Sequence, residues 1–476
     1  MATLVQSLVD FGLKVNFDQL PRGLVHEAKR ILLDSIGCAL AGVTTDKGKV
    51  AVQMAKQMAG PCEATVIGAG DKVSVFAAAF ANGELIYALD YDVITAPPGH
   101  VAPFVIPALL AVAEKNRSSG INLICVLVVA HEVSVRFGFA MDYYRDIRSG
   151  EEIRFQPVTG CSSTIFGGAL AAGILHGLDS KKLSYALGLA GRIAPAQAVT
   201  EYVTTLPATS DKALMAGWIS EAELLAVLLA KGGYTGDIEV LEGDYGFWRY
   251  MGSTKWDPAA LTNRQAEEWQ MLKATIYKPY PHCRISHTVL DCLYSVIERN
   301  DLQPKEIKRV AAYCDPHGAV LPMWSNKVIK SALDGQMSVP YAVSVAVHRV
   351  NIGPEWQDLN TLNDGKILAF MDKVTVEPHP EYGRMLKEHP GSRIGKVEIT
   401  ARGKKFAEER LFRKGSPATE ETRMTDRELL EKFRHNAARI LASKKIEKLA
   451  RLILNLEDLK DISWLAKMWD KKHNFL

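Results

Sequence analysis

Tyr277-Lys-Pro-Tyr-Pro-His-Cys-Arg-Ile-Ser-His-Thr-Val-Leu-Asp291 is where this chain changes character. Pro279 and Pro281 fix φ and remove two N–H donors, so Lys278 to His282 is neither regular helix nor central strand. The stretch reads as a stiff, extended turn presenting Lys278, His282, Cys283 and Arg284. Apolar spacing resumes at Val289, Leu290, Leu293, Val296 and Ile297, which predicts a helix with Ser286 as its N-cap. Two cations, an imidazole and a thiol led into a helix N-terminus suit the binding of an anion. A proline-rich connector with solvated charges is the plainer alternative.

Before this stretch the pattern is helical. Leu24, Ala28, Ile31, Leu32, Ser35, Ile36, Ala39 and Leu40 recur at helical spacing, and Gly42 ends the run as a C′ residue. Ala- and Leu-rich segments near 48–59, 74–89, 104–116, 120–136, 159–177, 180–192 and 211–231 predict further helices. Small residues on several faces (Phe166 to Gly173, Leu183 to Gly191) let helix axes approach closely, as in buried central helices. After it the pattern is mixed. Ile307 to Cys314 and Lys373 to Glu377 read as strands, Leu362 to Met371 as a helix, and Val397 to Phe406 as a hairpin turning at Arg402-Gly403. Helical periodicity returns with the capping-box spacing of Thr425 and Glu428 and runs to Leu441, followed by segments near 444–455 and 457–469.

The expected fold is therefore mostly α. A large all-α domain is built from both chain ends (1–268 and 412–476), with a smaller α+β lid domain (269–411) inserted. Ligands bind preferentially at such a seam.

The bulk properties narrow the class. The chain has 476 residues, too many for one small core, with 47% hydrophobic and 23% charged residues. A net charge of +3, without basic blocks interleaved with aromatics, argues against nucleic acid. Seven cysteines without a Cys-x-x-Cys suggest neither a disulfide framework nor a zinc ribbon. Met1 to Val15 has no secretory pattern, and the longest apolar run, Ile121 to Ala130, is far short of a membrane span. A cytoplasmic location is expected. No Gly-x-Gly-x-x-Gly follows a strand and no metal-ligand spacing is present, so neither nucleotide cofactor nor metal is expected.

Several segments, in order, resemble the MmgE/PrpD family, which includes 2-methylcitrate dehydratases, cis-aconitate decarboxylases and iminodisuccinate epimerases. They are Ala28-Lys-Arg-Ile-Leu-Leu-Asp-Ser-Ile-Gly-Cys-Ala-Leu-Ala-Gly42, Asn82-Gly83 with Leu89-Asp-Tyr-Asp92, His100 with Pro107-Ala108, and Gly232-Gly-Tyr-Thr-Gly236. Leu241-Glu-Gly243 with Gly246-Phe247, Lys278-Pro-Tyr-Pro281 with Arg284 and His287, and Val339-Pro-Tyr341 complete the set. The resemblance implies a helical body with a lid, a homodimer, no organic cofactor and chemistry on small polycarboxylates.

It also implies site residues. Asp90 matches an active-site carboxylate and would orient a histidine or lysine. His100, after the stiff Thr95-Ala-Pro-Pro-Gly99, titrates near neutral pH as a general base or acid needs. Lys212 matches a substrate-facing lysine at a helix start, where the helix dipole disfavours a cation. Lys278 would hold a carboxylate as a point charge, and neutral His282 would take a proton from carbon. Arg284 would clamp a second carboxylate, and Tyr341 would protonate or bind a leaving oxygen. Gln156 and His287 complete the substrate-binding set, His287 with a turn-organising role as its alternative; Cys283 reads as structural. Departures from the family pattern are Val93 and Ile94 after Asp92, Gln156 where many members carry histidine before Pro157, and Met215 where a histidine commonly stands. They point to a less charged substrate, another proton path or lost activity.

The reading is a cofactor-independent lyase that removes a proton beside a carboxylate. Dehydration comes first, decarboxylation and epimerisation close behind, and a non-catalytic metabolite-binding dimer is the alternative of another class.

Overall fold

The computed structural model describes residues 2–58, 60–142, 161–195, 204–210 and 215–469. The fold is mostly helical with small sheets. Among the described residues, eight helices of twelve or more residues precede the Pro-rich stretch: Arg22–Gly42, Asp46–Gln57, Val75–Tyr87, Ala102–Lys115, Gly120–Ala140, Thr164–Leu175, Ser180–Ile193 and Ala216–Lys231. Ser74, Ser119, Thr45 and Asp179 each cap one of them through a side-chain oxygen, which satisfies an orphan N–H of the first turn. Thr425 and Glu428 form the expected capping box at the start of Asp426–Ala437. That helix stops short of Leu441.

Two large apolar cores result among the described residues, with a small third cluster of Cys38, Ala41, Leu89 and Tyr91. The first joins Val5 to Tyr277 with Met424 to Trp469, so both chain ends build it. The Arg22–Gly42 helix lies against Asp426–Ala437, with Gly37 facing Phe433. The second core is drawn almost wholly from residues 280–401. It backs a four-stranded sheet in the order Val374–Pro378, Ile307–Cys314, Gly395–Ala401, Lys404–Arg410; the first pair is parallel, the others antiparallel. Along Gly395–Ala401 buried and half-buried residues alternate, the pattern of a sheet with one packed face. Helix His287–Arg299 covers that face. Arg402 and Gly403 both take positive φ, 49° and 71°, as a two-residue hairpin turn of this hand requires.

A third, small sheet positions the site. Ile94 pairs with His100 and with Ile276, so the loop after Asp92 and the start of the Pro-rich stretch meet edge to edge.

Three expectations are corrected. Gly42 is not a left-handed cap: it is the last helical residue, and Val43 follows in right-handed geometry. Its missing side chain serves close packing, since a Cβ there would lie 2.1 Å from the Leu85 carbonyl oxygen. Ser286 does not cap its helix with its side chain; a 3₁₀ turn, Arg284–Ser286, comes first, and the hydroxyl turns back to His282. The apolar run at residue 121 belongs to a 21-residue helix, Gly120–Ala140, long and apolar enough to cross a membrane. Nearly all of it is buried inside the first core, and it carries the buried Glu132–Arg136 ion pair.

Two substitutions in one helix test the close-packing argument. Gly42→Ala should lose about 1–3 kcal/mol of unfolding free energy, because backbone must move to admit the methyl. Gly23→Ala, where the added atom meets nothing within 4 Å, should be neutral or gain up to about 1 kcal/mol. Urea denaturation of both variants decides the signs.

Candidate active site

The loop after Val75–Tyr87 turns sharply at Asp90, whose φ is 49°. Asp tolerates this left-handed geometry better than most residues, and non-glycine residues held there cluster at functional sites. The turn aims the Asp90 carboxylate at Lys278. The Lys278 ammonium donates to Asp90 Oδ1 at 2.6 Å and to the Asp90 carbonyl at 2.8 Å, with both side chains buried. Two of the three ammonium N–H groups are thereby used.

His100 completes the constellation. Its Nδ1 lies 2.7 Å from Asp92 Oδ2, and its Nε2 lies 3.6 Å from Asp90 Oδ1. The second distance is too long for a hydrogen bond. The Tyr87 ring packs edge-on against the imidazole at 4.7 Å. Burial lowers the pKa of His100; Asp92 opposes that shift and Lys278 adds to it. A neutral ring that donates Nδ1–H to Asp92 keeps its Nε2 lone pair for a proton. The structure thus brings Asp90, His100 and Lys278 together and changes the assignment of partners. Asp92, not Asp90, orients the histidine, and Asp90 holds the lysine.

The other site residues that the structure describes are engaged with other partners. His282 is wholly buried, and both ring nitrogens are engaged: Nε2 sits 3.0 Å from the Ser338 carbonyl, Nδ1 2.8 Å from Ser286 Oγ and 3.1 Å from the Cys283 carbonyl. A carbonyl lies at each ring nitrogen and the Ser286 hydroxyl at one of them, so neither nitrogen is open in either tautomer. Burial lowers the pKa of this ring to about 4. A histidine fixed in this way braces the turn; as a base it has no nitrogen to offer. His287 likewise places Nε2 2.9 Å from the His282 carbonyl and packs on Tyr280, with its pKa pushed far down by burial. Tyr341 lies in the second core, donates its hydroxyl to the Trp356 carbonyl at 2.6 Å, and is a packed aromatic apart from the cluster. Arg284 is buried in the 3₁₀ turn. Lys212 and Gln156 lie outside the described residues.

Four contributors went unread in the sequence. Gln336 donates to the Ala88 carbonyl, and Gln357 donates to the carbonyls of Leu89 and Pro281. These amides tie the second core to the segment entering Asp90. Asp34 and Lys432 pair at 2.7 Å beneath the loop. Lys432 did leave a signal, a lysine beside the apolar stripe of Leu429, Phe433 and Ala437.

A cavity of about 610 Å³ adjoins the cluster without containing it. Tyr87, Leu89, Gln336 and Gln357 wall it, and Lys47 and Arg439 lie on its lining. Tyr87 is therefore the partition between the cavity and His100. Donor atoms of Asp90, Asp92 and His100 lie within 4.8 Å of one another, a set a divalent cation accepts by donor type. The fit is poor: Asp90 and Asp92 flank opposite ring nitrogens, and the Lys278 ammonium already occupies Asp90.

Comparison with known proteins agrees across the chain. The MmgE/PrpD N-terminal domain matches residues 6–259, and the MmgE/PrpD C-terminal domain matches residues 280–458. The chain is 27% identical to the cis-aconitate decarboxylase of Homo sapiens, covering 96% of this chain and 92% of the relative. It is 26% identical to the cis-aconitate decarboxylases of Mus musculus (96% and 91%) and of Aspergillus terreus (95% and 92%).

The buried histidines set a pH dependence. His282 has a folded pKa of about 4 against 6.5 for the exposed ring, so between these values the unfolded chain binds a proton that the native chain refuses. Stability is complete above pH 6.5 and falls as pH drops toward 4, by up to about 1.4 kcal/mol per pH unit for this group. His131, also near 4 through burial, adds in the same direction. Burial raises Glu221 to about 7 and Asp291 to about 6, which acts in the opposite direction, so the effect is read as a difference: in urea titrations at pH 7, 6 and 5 the stability of His282→Gln relative to the wild type should rise as the pH falls.

Proposed function

The chain belongs to the MmgE/PrpD family, and from that premise we propose that it is a cofactor-independent lyase acting on a small di- or tricarboxylate. The observation that supports this reading is the Asp92–His100···Asp90–Lys278 constellation. It unites an oriented imidazole with a free nitrogen and a buried ammonium with one N–H to spare.

Decarboxylation of the cis-aconitate kind is the first choice, because full-length relatives are named for it. When one carboxylate of such a substrate leaves as CO₂, its bonding electron pair passes through the double bond to the carbon beside a remaining carboxylate. That carboxylate takes up the enolate-like charge, and the carbon then receives a proton. The third N–H of Lys278 is suited to the charged oxygen, where a preorganised cation acts most strongly. His100 delivers the proton, and Asp92 holds its ring and stabilises the imidazolium form. Substrate charge next to the ring favours that protonated form.

Dehydration of a hydroxy acid is the second reading, and one observation favours it. Burial keeps His100 neutral before substrate arrives, as a base needs to be. The same residues then work in reverse order: His100 takes the α-proton, Lys278 steadies the enolate, and the imidazolium returns that proton to the departing hydroxide, which leaves as water. A homodimer, a cytoplasmic location and a lid role for residues 269–411 belong to the same proposal. Arg284 and Lys212 serve in it as further carboxylate contacts.

Proton NMR in D₂O with cis-aconitate, 2-methylcitrate and substituted succinates separates the reactions. The expected result is CO₂ loss from cis-aconitate with deuterium at the carbon next to a carboxylate. Water loss from 2-methylcitrate would select the second reading, and failure to convert any of these acids would reject the lyase assignment. In the active reaction Lys278→Met should lower kcat about 10²–10³-fold. Asp92→Asn should lower kcat and shift its pH profile, since an amide holds the ring less firmly and does not stabilise its charge.

A further inference from the structure

We propose that Asp34 and Lys432 are a positioning pair for this reaction, a buried strut that holds the backbone of Asp90, Asp92 and Lys278 in one arrangement. The inference rests on the functional reading above for the reaction, and on geometry alone for the strut. Lys432 comes from the helix Asp426–Ala437, and Asp34 from Arg22–Gly42. The Lys432 ammonium reaches Asp34 Oδ1 at 2.7 Å, the Tyr91 carbonyl at 2.6 Å and the Lys278 carbonyl at 3.1 Å. Two of its N–H groups thus meet carbonyl acceptors, and the ion pair with Asp34 supplies the opposite charge. The second oxygen, Asp34 Oδ2, accepts from Val93 N–H at 2.7 Å. The ammonium also lies 3.9 Å from the centre of the Tyr91 ring, and the Tyr91 hydroxyl donates to the Pro279 carbonyl at 3.1 Å.

These contacts fall at chosen points. Tyr91 lies between Asp90 and Asp92, Val93 follows Asp92, and the second carbonyl bound by Lys432 is that of Lys278 itself. Asp90, Asp92 and Lys278 are therefore each gripped through their own or an adjacent peptide unit. Neither Asp34 nor Lys432 lines the cavity or touches the His100 ring, so neither acts on substrate directly. Side chains in such a constellation tolerate little drift: a misplacement near 1 Å can lower a rate about 10²-fold.

A merely structural ion pair would explain burial and stability equally well, so the test has to separate the two. Lys432→Met alone strands a buried carboxylate and should destabilise strongly. Asp34→Asn with Lys432→Met removes both charges, which should recover much of that stability while the carbonyls of Tyr91 and Lys278 still lack their donor. The positioning role predicts that this double variant melts cooperatively near the wild type. Its kcat on cis-aconitate, or on the acid of the panel that the wild type converts, should still be about 10²-fold low, with KM little changed. Its His100 titration, followed by NMR of ring-labelled histidine, should also move, because the groups facing that ring (Asp90, Asp92, Lys278 and Tyr87) are no longer held. A stable double variant with wild-type kcat and an unmoved His100 titration would overturn the proposal. If the wild type converts none of the acids, the functional reading fails, and the His100 titration still decides whether the strut positions these residues. Should the double variant not fold, Lys432→Arg answers the same question. Its planar fork keeps the charge but cannot converge on three oxygens around one point. Loss of kcat with stability kept supports the strut; wild-type kcat refutes it.

Discussion

A lysine buried between the two ends of the chain holds the centre of this molecule together. Lys432 and Tyr91 are 341 positions apart, yet one ammonium bridges them. Withdrawing such a charge from water is expensive, and only a full set of partners offsets it. Lys432 has that set: a carboxylate, two carbonyls and an aromatic face. Because all of them must be present together, the helix Arg22–Gly42, the Asp90 loop, the Pro-rich stretch and the helix Asp426–Ala437 cannot be placed independently.

The charges around His100 form one system. Asp34, Asp90 and Asp92 face Lys278 and Lys432, so three formal negative charges meet two positive ones in a buried space. A proton on His100 would cancel the remainder. Burial alone favours a neutral ring, and the two opposing influences leave the imidazole responsive to whatever charge arrives beside it. A substrate carrying carboxylates supplies such a charge. The second core contributes differently: through Gln336 and Gln357 it grips the backbone on both sides of the site rather than the reacting groups.

Several departures from the family pattern have a local explanation. Ile94 is fully buried as the middle partner of the small sheet, pairing with both His100 and Ile276, where a polar side chain would lose its water without gaining a partner. Val93 is equally buried, and its N–H is the one that Asp34 accepts. Met215 lies exposed at the start of the Ala216–Lys231 helix. Nothing in the described structure explains why methionine stands there.

By itself the sequence determined the helical body, the β-hairpin at Arg402-Gly403, the break at the two prolines and the meeting of Asp90, His100 and Lys278. Apolar period, turn residues and proline geometry are local properties, and family motifs carry the rest. It did not determine who partners whom. Asp90 and Asp92 are two positions apart, and only the left-handed turn at Asp90 sends one carboxylate to lysine and the other to histidine. His282 and Tyr341 looked reactive because their side chains can be; burial and the carbonyls of Ser338 and Trp356 made them braces. Asp34 and Lys432 looked ordinary because the need each fills is created by the other, and only the folded chain brings them within 2.7 Å.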